Sequence, residues 1–170
     1  MILMLSYLDD YRVKIGSAWY NKNMTKILFL CRGNVGRSQM AEFLLKDMFN
    51  KGIFLDKNIE VISAGTKLSG PEERIGNLKP AIQEVLDVMN EEGIDVSKAI
   101  RKQVTENMIN DVDVVIPILE DEDLPEYLVN SPKLQKTWHI TDPKGKNLEE
   151  TRKIKDEIKE KLMSTILFKR

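Results

Sequence analysis

Cysteine, histidine and unbalanced charge are what this 170-residue chain has least of. It contains one cysteine and one histidine, and its 26 basic side chains nearly balance 27 acidic ones, leaving a formal net charge of −1. A single cysteine excludes an internal disulfide framework and suits a reducing compartment. The interspersed charges create no overall field directed at nucleic acid or at an anionic membrane surface. We therefore expect neither nucleic acid nor membrane among the partners.

Long apolar runs are also missing. The apolar stretch 1–8 is short, lacks a basic leader and runs into Asp9 and Asp10, so it predicts neither a transmembrane span nor a signal peptide. We expect a cytoplasmic protein. With 42% hydrophobic residues, the chain is long enough for one domain with a substantial core and short for two.

The single cysteine, Cys31, stands at the most informative position. It follows the apolar run 27–30 and comes six residues before Arg37, and Ser38 opens a segment with apolar residues at helical spacing. This order predicts a strand, a tight loop and a helix N-terminus, where unpaired backbone N–H groups converge on one tetrahedral anion. The same groups stabilise a thiolate at the cysteine.

The residues between Cys31 and Ser38 fit that loop. We expect Gly33 and Gly36 to supply the positive or otherwise strained φ values of the curl, while Asn34 fits an ordinary turn because asparagine tolerates left-handed geometry. The planar guanidinium of Arg37 can hold two oxygens of a phosphate. The sequence thus predicts an oxyanion site that contains a nucleophile.

Strands and helices alternate along the rest of the chain. The predicted strands are 27–30, 59–62, 112–116 and a short one at 137–140. The predicted helices are 39–50, 80–90 with Pro80 in its first turn, a short helix from a Thr105 cap to 110, and a charged last helix that begins at a capping box of Asn147 and Glu150. Such alternation predicts an α/β protein with a parallel sheet covered by helices on both faces.

These motifs together resemble the low-molecular-weight protein tyrosine phosphatases and the arsenate reductases of the same fold. The resemblance covers residues 24–165 and rests on the Cys31 loop, 63–66, 92–95, 113–116 and the late pair Asp142-Pro143. It implies a three-layer α/β/α domain at 24–170, with a four-stranded parallel sheet of flavodoxin-like order 2-1-3-4 and the phosphate loop after strand one. Residues 1–23 are then an N-terminal extension, which is a packed segment, a partner-binding segment or an over-long reading frame.

The resemblance also implies a set of site residues, without metal or cofactor. The catalytic residues are Cys31, Arg37 and Asp142; the substrate-binding residues are Arg32, Gly33, Asn34, Val35, Gly36 and Ser38; the loop is supported by Asn34, Ser38 and Ser63. Asp142 would protonate the leaving group and then activate water, although an Asp-Pro pair also commonly begins a turn. The acidic run 120–123 is interpreted as a solvated loop, not as a metal site.

Three functions remain open at this point. The first is a cysteine-dependent phosphatase acting through a cysteinyl-phosphate on a phosphorylated protein, with phosphotyrosine favoured by Val35, or on a small phosphomonoester. The second is an arsenate reductase with a single cysteine, which would need an external thiol or a glutaredoxin-like partner because a thioredoxin-coupled relay uses two further cysteines. The third is a phosphate-binding module without turnover. We also hypothesise that Arg32 and Lys144 form a basic rim that favours acidic substrates. The sequence does not specify an oligomeric state.

Overall fold

The computed structural model describes residues 12–15, 18–20, 24–54, 58–119 and 124–169. In chain order its strands are β1 (Arg12–Ile15), β2 (Ala18–Tyr20), β3 (Thr25–Cys31), β4 (Ile59–Gly65), β5 (Val114–Leu119), β6 (Trp138–His139) and β7 (Ile166–Lys169). Its helices are α1 (Arg37–Asn50), α2 (Gln83–Glu91), α3 (Glu106–Asp111), α4 (Glu126–Val129) and α5 (Leu148–Thr165), with a 3-10 turn at Ile75–Leu78 before α2.

The central sheet has four parallel strands in the order β4-β3-β5-β6. Counted from β3, this is the predicted order 2-1-3-4, so the predicted fold class is confirmed. Cys31 ends β3 opposite Gly65, the last residue of β4. Because all four strands are parallel, their carboxyl ends meet at one edge of the sheet, where ligands of open α/β sheets bind.

Helices cover both faces of this sheet. Alternate residues of β3 point to opposite sides, so Ile27 and Phe29 join one apolar cluster while Leu28 and Leu30 join the other. The first cluster includes buried residues of α1, α2 and α5, and the second includes buried residues of α3 and α4. The result is the three-layer arrangement expected from strand–helix alternation.

A second sheet was not predicted from the sequence. It contains β2, β1 and β7 in that order, and β1 is antiparallel to both neighbours. Ile15 of β1 lies opposite Ile166 of β7, and both are fully buried in the larger core cluster. The described part of the N-terminal extension therefore packs on the domain through its pairing with the end of the chain.

Several element boundaries differ from the sequence prediction, among them the start of α2 and the end of β5. Pro80 is not in the first turn of a helix, because residues 78–83 form tight turns, with Ala81 N–H donating to Leu78 O and Gln83 N–H donating to Pro80 O. The third strand continues past the predicted end at residue 116 to Leu119. Pro117 is the last residue of β5 aligned with β3, and the next residues pair with β6. The proline therefore coincides with the change of partner strand.

The predicted helix caps are present. The Thr105 hydroxyl accepts a hydrogen bond from Met108 N–H at the start of α3. At the start of α5 the Asn147 side chain accepts from Glu150 N–H, and the Glu150 carboxylate accepts from Asn147 N–H. Such reciprocal bonds satisfy backbone donors that a helix start otherwise leaves unpaired.

Charged side chains connect α2 to α5. Glu92 accepts hydrogen bonds from Lys155 and from Lys159, and the bond from Lys159 is 2.8 Å long. Arg152 donates to both carboxylate oxygens of Glu91, at 2.9 and 2.6 Å. Burial raises the pKa of Glu92, but the hydrogen bonds from the two lysines outweigh burial and lower the pKa overall. For Lys155 burial acts in the opposite direction and lowers the pKa. Its hydrogen bonds to carboxylates outweigh burial and raise the pKa overall.

Two of the sequence predictions concern membrane-spanning segments and metal sites. No helix in the described ranges is long and apolar enough to span a bilayer. Residues 120–123, interpreted as a solvated acidic loop, lie outside the described ranges. No grouping of potential metal ligands occurs elsewhere in the described part of the chain.

Candidate active site

The loop between β3 and α1 curls by a different means from the one predicted. Asn34, not Gly33 or Gly36, has the positive φ, at +49°. Gly36 is required for space instead, because a Cβ there would lie 2.5 Å from the ring carbon Cγ of Pro143. Of the positive or otherwise strained φ values expected at Gly33 and Gly36, neither glycine has a positive one. Asparagine accepts the left-handed region because its short polar side chain bonds locally.

The Cys31 sulfur lies next to a buried hydroxyl. Its Sγ is 3.0 Å from Ser38 Oγ, and Ser38 Oγ accepts a hydrogen bond of 2.9 Å from Asn34 Nδ2. Cys31 is 3% exposed, and Asn34 and Ser38 are fully buried. Because the hydroxyl oxygen of Ser38 already accepts from Asn34, its own proton is available to be donated to the sulfur.

The orientation of the Asn34 amide is fixed by its surroundings. Its Oδ1 accepts from the backbone N–H of Lys102 at 2.8 Å and from Gln39 Nε2 at 3.2 Å. A backbone N–H can only donate, so the oxygen must face Lys102 and the NH₂ group must face the two serines. Asn34 thereby fastens the loop to the chain segment that follows α2.

Ser63 extends the network to a buried carboxylate. Asn34 Nδ2 donates to Ser63 Oγ at 2.8 Å, and Ser63 Oγ donates to Glu42 Oε2 at 2.6 Å. Glu42 is 5% exposed and is paired at its other oxygen with Lys46. The hydrogen bond between Asn34 and Ser63 is the one that the family resemblance implies. Glu42, in contrast, was not singled out from the sequence.

Two further residues of this network were not predicted. Glu42 lies one helical turn after Ser38 on the buried side of α1, so a carboxylate at that spacing was the available signal. Gln39 Nε2 has the carbonyl oxygens of Asn34 and Ile100 within 3.4 Å as well as Asn34 Oδ1. Its Oε1 is buried without a hydrogen-bond partner among the described residues.

Arg37 joins the loop to Asp142. Its Nη2 lies 2.7 Å from Asp142 Oδ2, and its Nη1 donates to the carbonyl oxygen of Ile140 at 3.1 Å. Arg37 is 1% exposed, whereas the Asp142 side chain is 39% exposed. The other oxygen of the carboxylate accepts from Lys144 N–H at 2.9 Å. The carboxyl is therefore held at the surface end of a buried guanidinium.

The start of α1 is arranged as an anion site. Gly36 is its N-cap residue, no side chain caps the helix, and its first turn contains no acidic residue. The partial positive charge of a helix N-terminus favours an anion at that place. Arg37 is the first residue of the helix, where a cation opposes the dipole, and an anion in the loop would offset that opposition.

The remaining predicted residues also lie in or beside the loop. Arg32 is exposed, Gly33 and Val35 are partly exposed, and Ser63 is near the end of β4. Gly65 permits close packing, since a Cβ there would lie 2.8 Å from the Arg32 carbonyl oxygen. All predicted site residues are thus part of one connected structure at the carboxyl edge of the sheet.

Comparisons with known proteins agree with this geometry. The family model described as low molecular weight phosphotyrosine protein phosphatase matches residues 26–167. An arsenate reductase of Staphylococcus aureus (strain Newman) is 32% identical over 143 residues, which cover 80% of this chain and 93% of that protein. A putative arsenate reductase of Halobacterium salinarum is 28% identical over 82% of this chain and 89% of its own length.

Solved structures give the same result. A low molecular weight protein tyrosine phosphatase from T. tengcongensis has a TM-score of 0.64 and 28% identity, covering 82% of this chain and 98% of the other. An arsenate reductase in the phosphate binding state has a TM-score of 0.63 and 30% identity, covering 83% and 95%. The extent of the family match, together with the Cys31 loop, leads to one conclusion: the chain belongs to the low-molecular-weight phosphotyrosine protein phosphatase family, which includes arsenate reductases.

Proposed function

We propose that this protein is a cysteine-dependent phosphatase that hydrolyses phosphomonoesters, with phosphotyrosine in proteins as the substrate class, through a cysteinyl-phosphate intermediate. The observation that supports this most directly is the ion pair of Arg37 with Asp142 at 2.7 Å. It brings a partly exposed carboxyl to the loop that contains Cys31. A site that only bound phosphate would have no use for both a nucleophile and a proton donor.

Substrate binding would use the loop amides and Arg37. The backbone N–H groups of the loop 32–36 and the uncapped start of α1 would surround the phosphate, and the guanidinium would hold two of its oxygens. A phosphate dianion competes with Asp142 and with the Ile140 carbonyl oxygen for the guanidinium. Binding would therefore release the carboxyl toward the ester oxygen of the substrate.

The first chemical step transfers the phosphoryl group to sulfur. Once released from Arg37, the Asp142 carboxylate takes up a proton from solvent. The Cys31 thiolate then attacks phosphorus in line, the bond from phosphorus to the ester oxygen breaks, and Asp142 gives that proton to the departing oxygen. The loop amides stabilise the equatorial oxygens as their charge redistributes.

The second step regenerates the enzyme. Asp142, now ionised, takes a proton from water, the resulting nucleophile attacks phosphorus, and the bond from phosphorus to sulfur breaks. The Ser38 hydroxyl, 3.0 Å from Sγ, donates its hydrogen bond to the departing thiolate. A thiolate of this kind has to stay reduced, so we expect the enzyme to act in the cytoplasm.

Arsenate reduction is the second candidate, and the observation that favours it is that curated relatives at up to 32% identity are named arsenate reductases. Because the chain has one cysteine, an arsenylated Cys31 would have to be attacked at sulfur by an external thiol. That attack would transfer two electrons to arsenic, release arsenite and leave a mixed disulfide for a glutaredoxin-like partner to reduce.

Steady-state phosphate release from an aryl phosphate tests the proposal. We expect Cys31→Ser to abolish turnover, and Asp142→Asn to lower kcat about 10²- to 10³-fold, because general acid–base catalysis contributes on that order. Asp111→Asn is the matched control, since Asp111 pairs with Lys26 at the opposite edge of the sheet. Arsenite production with supplied thiols and glutaredoxin, measured on the same preparations without phosphate release, would instead establish the reductase.

A further inference from the structure

Four cations lie around the candidate phosphate loop, each on a different chain segment: Arg32, Lys67, Lys102 and Lys144. Arg32 is in the loop itself, and its carbonyl oxygen accepts from Lys67 N–H at 2.9 Å. Lys102 N–H donates to Asn34, and Lys144 N–H donates to Asp142. The backbone of every one of the four is therefore fixed relative to the site. We call these four residues the basic rim.

The basic rim has no counter-charge within the described residues. None of its four side chains makes an ion pair there, and three are exposed while Lys102 is half-buried. On α5, by contrast, Arg152, Lys155 and Lys159 are all paired with carboxylates. A surface with several unpaired cations interacts favourably with an anionic partner.

Nearby carboxylates are already engaged. Asp142 is bound to Arg37, Glu73 lies 3.4 Å from Arg101, and Glu72 accepts from Gln103 N–H. The phosphate itself requires only the loop amides and Arg37, so the rim cations are in excess of what one phosphate needs. The four cations belong to separate segments, each joined to the site by a backbone hydrogen bond.

We infer that the basic rim selects phosphorylated peptides in which acidic residues flank the phosphorylated side chain. This inference rests on the proposed phosphatase function and specifies its substrate class. Carboxylates on either side of the phosphate would approach cations that have no ion-pair partner among the described residues, with little desolvation because three of the four cations are exposed. Such contacts act mainly on the encounter of enzyme and substrate, and they weaken as salt is added.

Two phosphotyrosyl peptides test the inference, identical except for Glu flanks in one and Gln flanks in the other. The readout is the ratio of their kcat/KM values, which cancels any effect of a variant on the chemical step. We expect wild type to favour the Glu peptide about 10-fold at low salt, and Lys67→Gln and Lys144→Gln each to lower the ratio about 2- to 5-fold, as exposed ion pairs do. The double variant should lower the ratio further, to the smaller preference that Arg32 and Lys102 still provide.

Lys136→Gln is the matched control, because Lys136 is an exposed cation just before β6, which β5 separates from β3 and its loop. It should leave the ratio at the wild-type value. Equal rates of wild type on both peptides would overturn the inference while leaving the phosphatase in place. Failure to hydrolyse either peptide or an aryl phosphate would overturn the proposed function itself.

Discussion

Two polar networks in this molecule use similar hydrogen bonds for different purposes. The network around Asn34 is buried and mostly neutral, with Ser38 and Ser63 fully buried and each accepting a hydrogen bond from Asn34. The network between α2 and α5 consists of charges, such as Glu92 with Lys155, and it is partly open to solvent. Neutral bonds of fixed direction position atoms, whereas ion pairs tolerate variation in geometry and connect helices.

The comparison therefore predicts that damage to the first network lowers the rate more than the stability, and that damage to the second does the opposite. Both kcat and the free energy of unfolding have to be measured on the same preparations. Neither quantity alone distinguishes a residue that positions catalytic atoms from one that stabilises the fold.

Removal of the Asn34 side chain should have the largest effect. Asn34→Gly tolerates the φ of +49° but loses both serine contacts and the bond from Lys102. Because a small misplacement of catalytic groups costs on the order of 100-fold in rate, kcat should fall about 100-fold. Asn34→Ala should be less stable than Asn34→Gly by about 1 kcal/mol, because alanine is strained in the left-handed region. A glycine variant with wild-type kcat would show that Asn34 supports the fold only.

Glu92→Gln should lower the free energy of unfolding by about 2 kcal/mol at neutral pH, because it leaves the nearly buried Lys155 with a weaker set of partners. The kcat for an aryl phosphate should stay within experimental error of wild type. Thermal or denaturant unfolding followed by circular dichroism measures the first quantity, and a loss of activity comparable to that of Asn34→Gly would contradict the separation of the two networks.

The pH dependence of the free energy of unfolding gives a second test with Glu92→Gln. Because the pKa of Glu92 is lowered in the folded protein, its ionised form stabilises the fold at pH values above its unfolded pKa of about 4.3. That contribution is lost as the pH falls through the folded pKa. Wild type and Glu92→Gln should therefore differ at neutral pH and converge in acid, and a constant difference across this range would exclude the ionised carboxylate as its cause.

The variant Glu42→Gln should give the smallest effect. In Glu42→Gln the side-chain oxygen still accepts the Ser63 hydroxyl, so kcat should change by less than about threefold, although the ion pair with Lys46 is lost. Glu42→Ala leaves the Ser63 hydroxyl without this acceptor and should lower both kcat and stability, the latter by about 1–3 kcal/mol. Equal losses in the two variants would mean that charge, and not acceptance of the Ser63 proton, is what the network requires.

Local sequence signals predicted much of this fold. The strand order, the loop between β3 and α1, the Thr105 cap and the capping box at Asn147 all follow from patterns within about ten residues or from the family resemblance. The pairing of β1 with β7 joins chain ends that are far apart in sequence, and no local pattern encodes such a contact. The start of α2 was misplaced because Pro80 fits a first helical turn as well as the tight turn that it occupies.

The site was predicted less completely than the fold. Residue types with evident chemistry, such as Cys31 and Arg37, were found, and the structure places them in one loop with Asn34. Left-handed geometry was noted as tolerable at Asn34, but positive φ was also expected at the glycines because glycine is the usual choice for it. At Gly36 the contact with Pro143 is what demands glycine. Glu42 was missed because its hydrogen-bond partner Ser63 belongs to β4, an element distant in sequence from α1.

The central claim is that Cys31 carries the phosphoryl group, and the most direct measurement is a rapid acid quench of Asp142→Asn mixed with p-nitrophenyl phosphate. This leaving group departs without protonation, so the variant should form the intermediate quickly and hydrolyse it slowly. We predict a burst of about one nitrophenol per chain and phosphate on the Cys31 peptide by mass spectrometry. A linear release of nitrophenol with Cys31 unmodified, or phosphate on another residue, would contradict the claim.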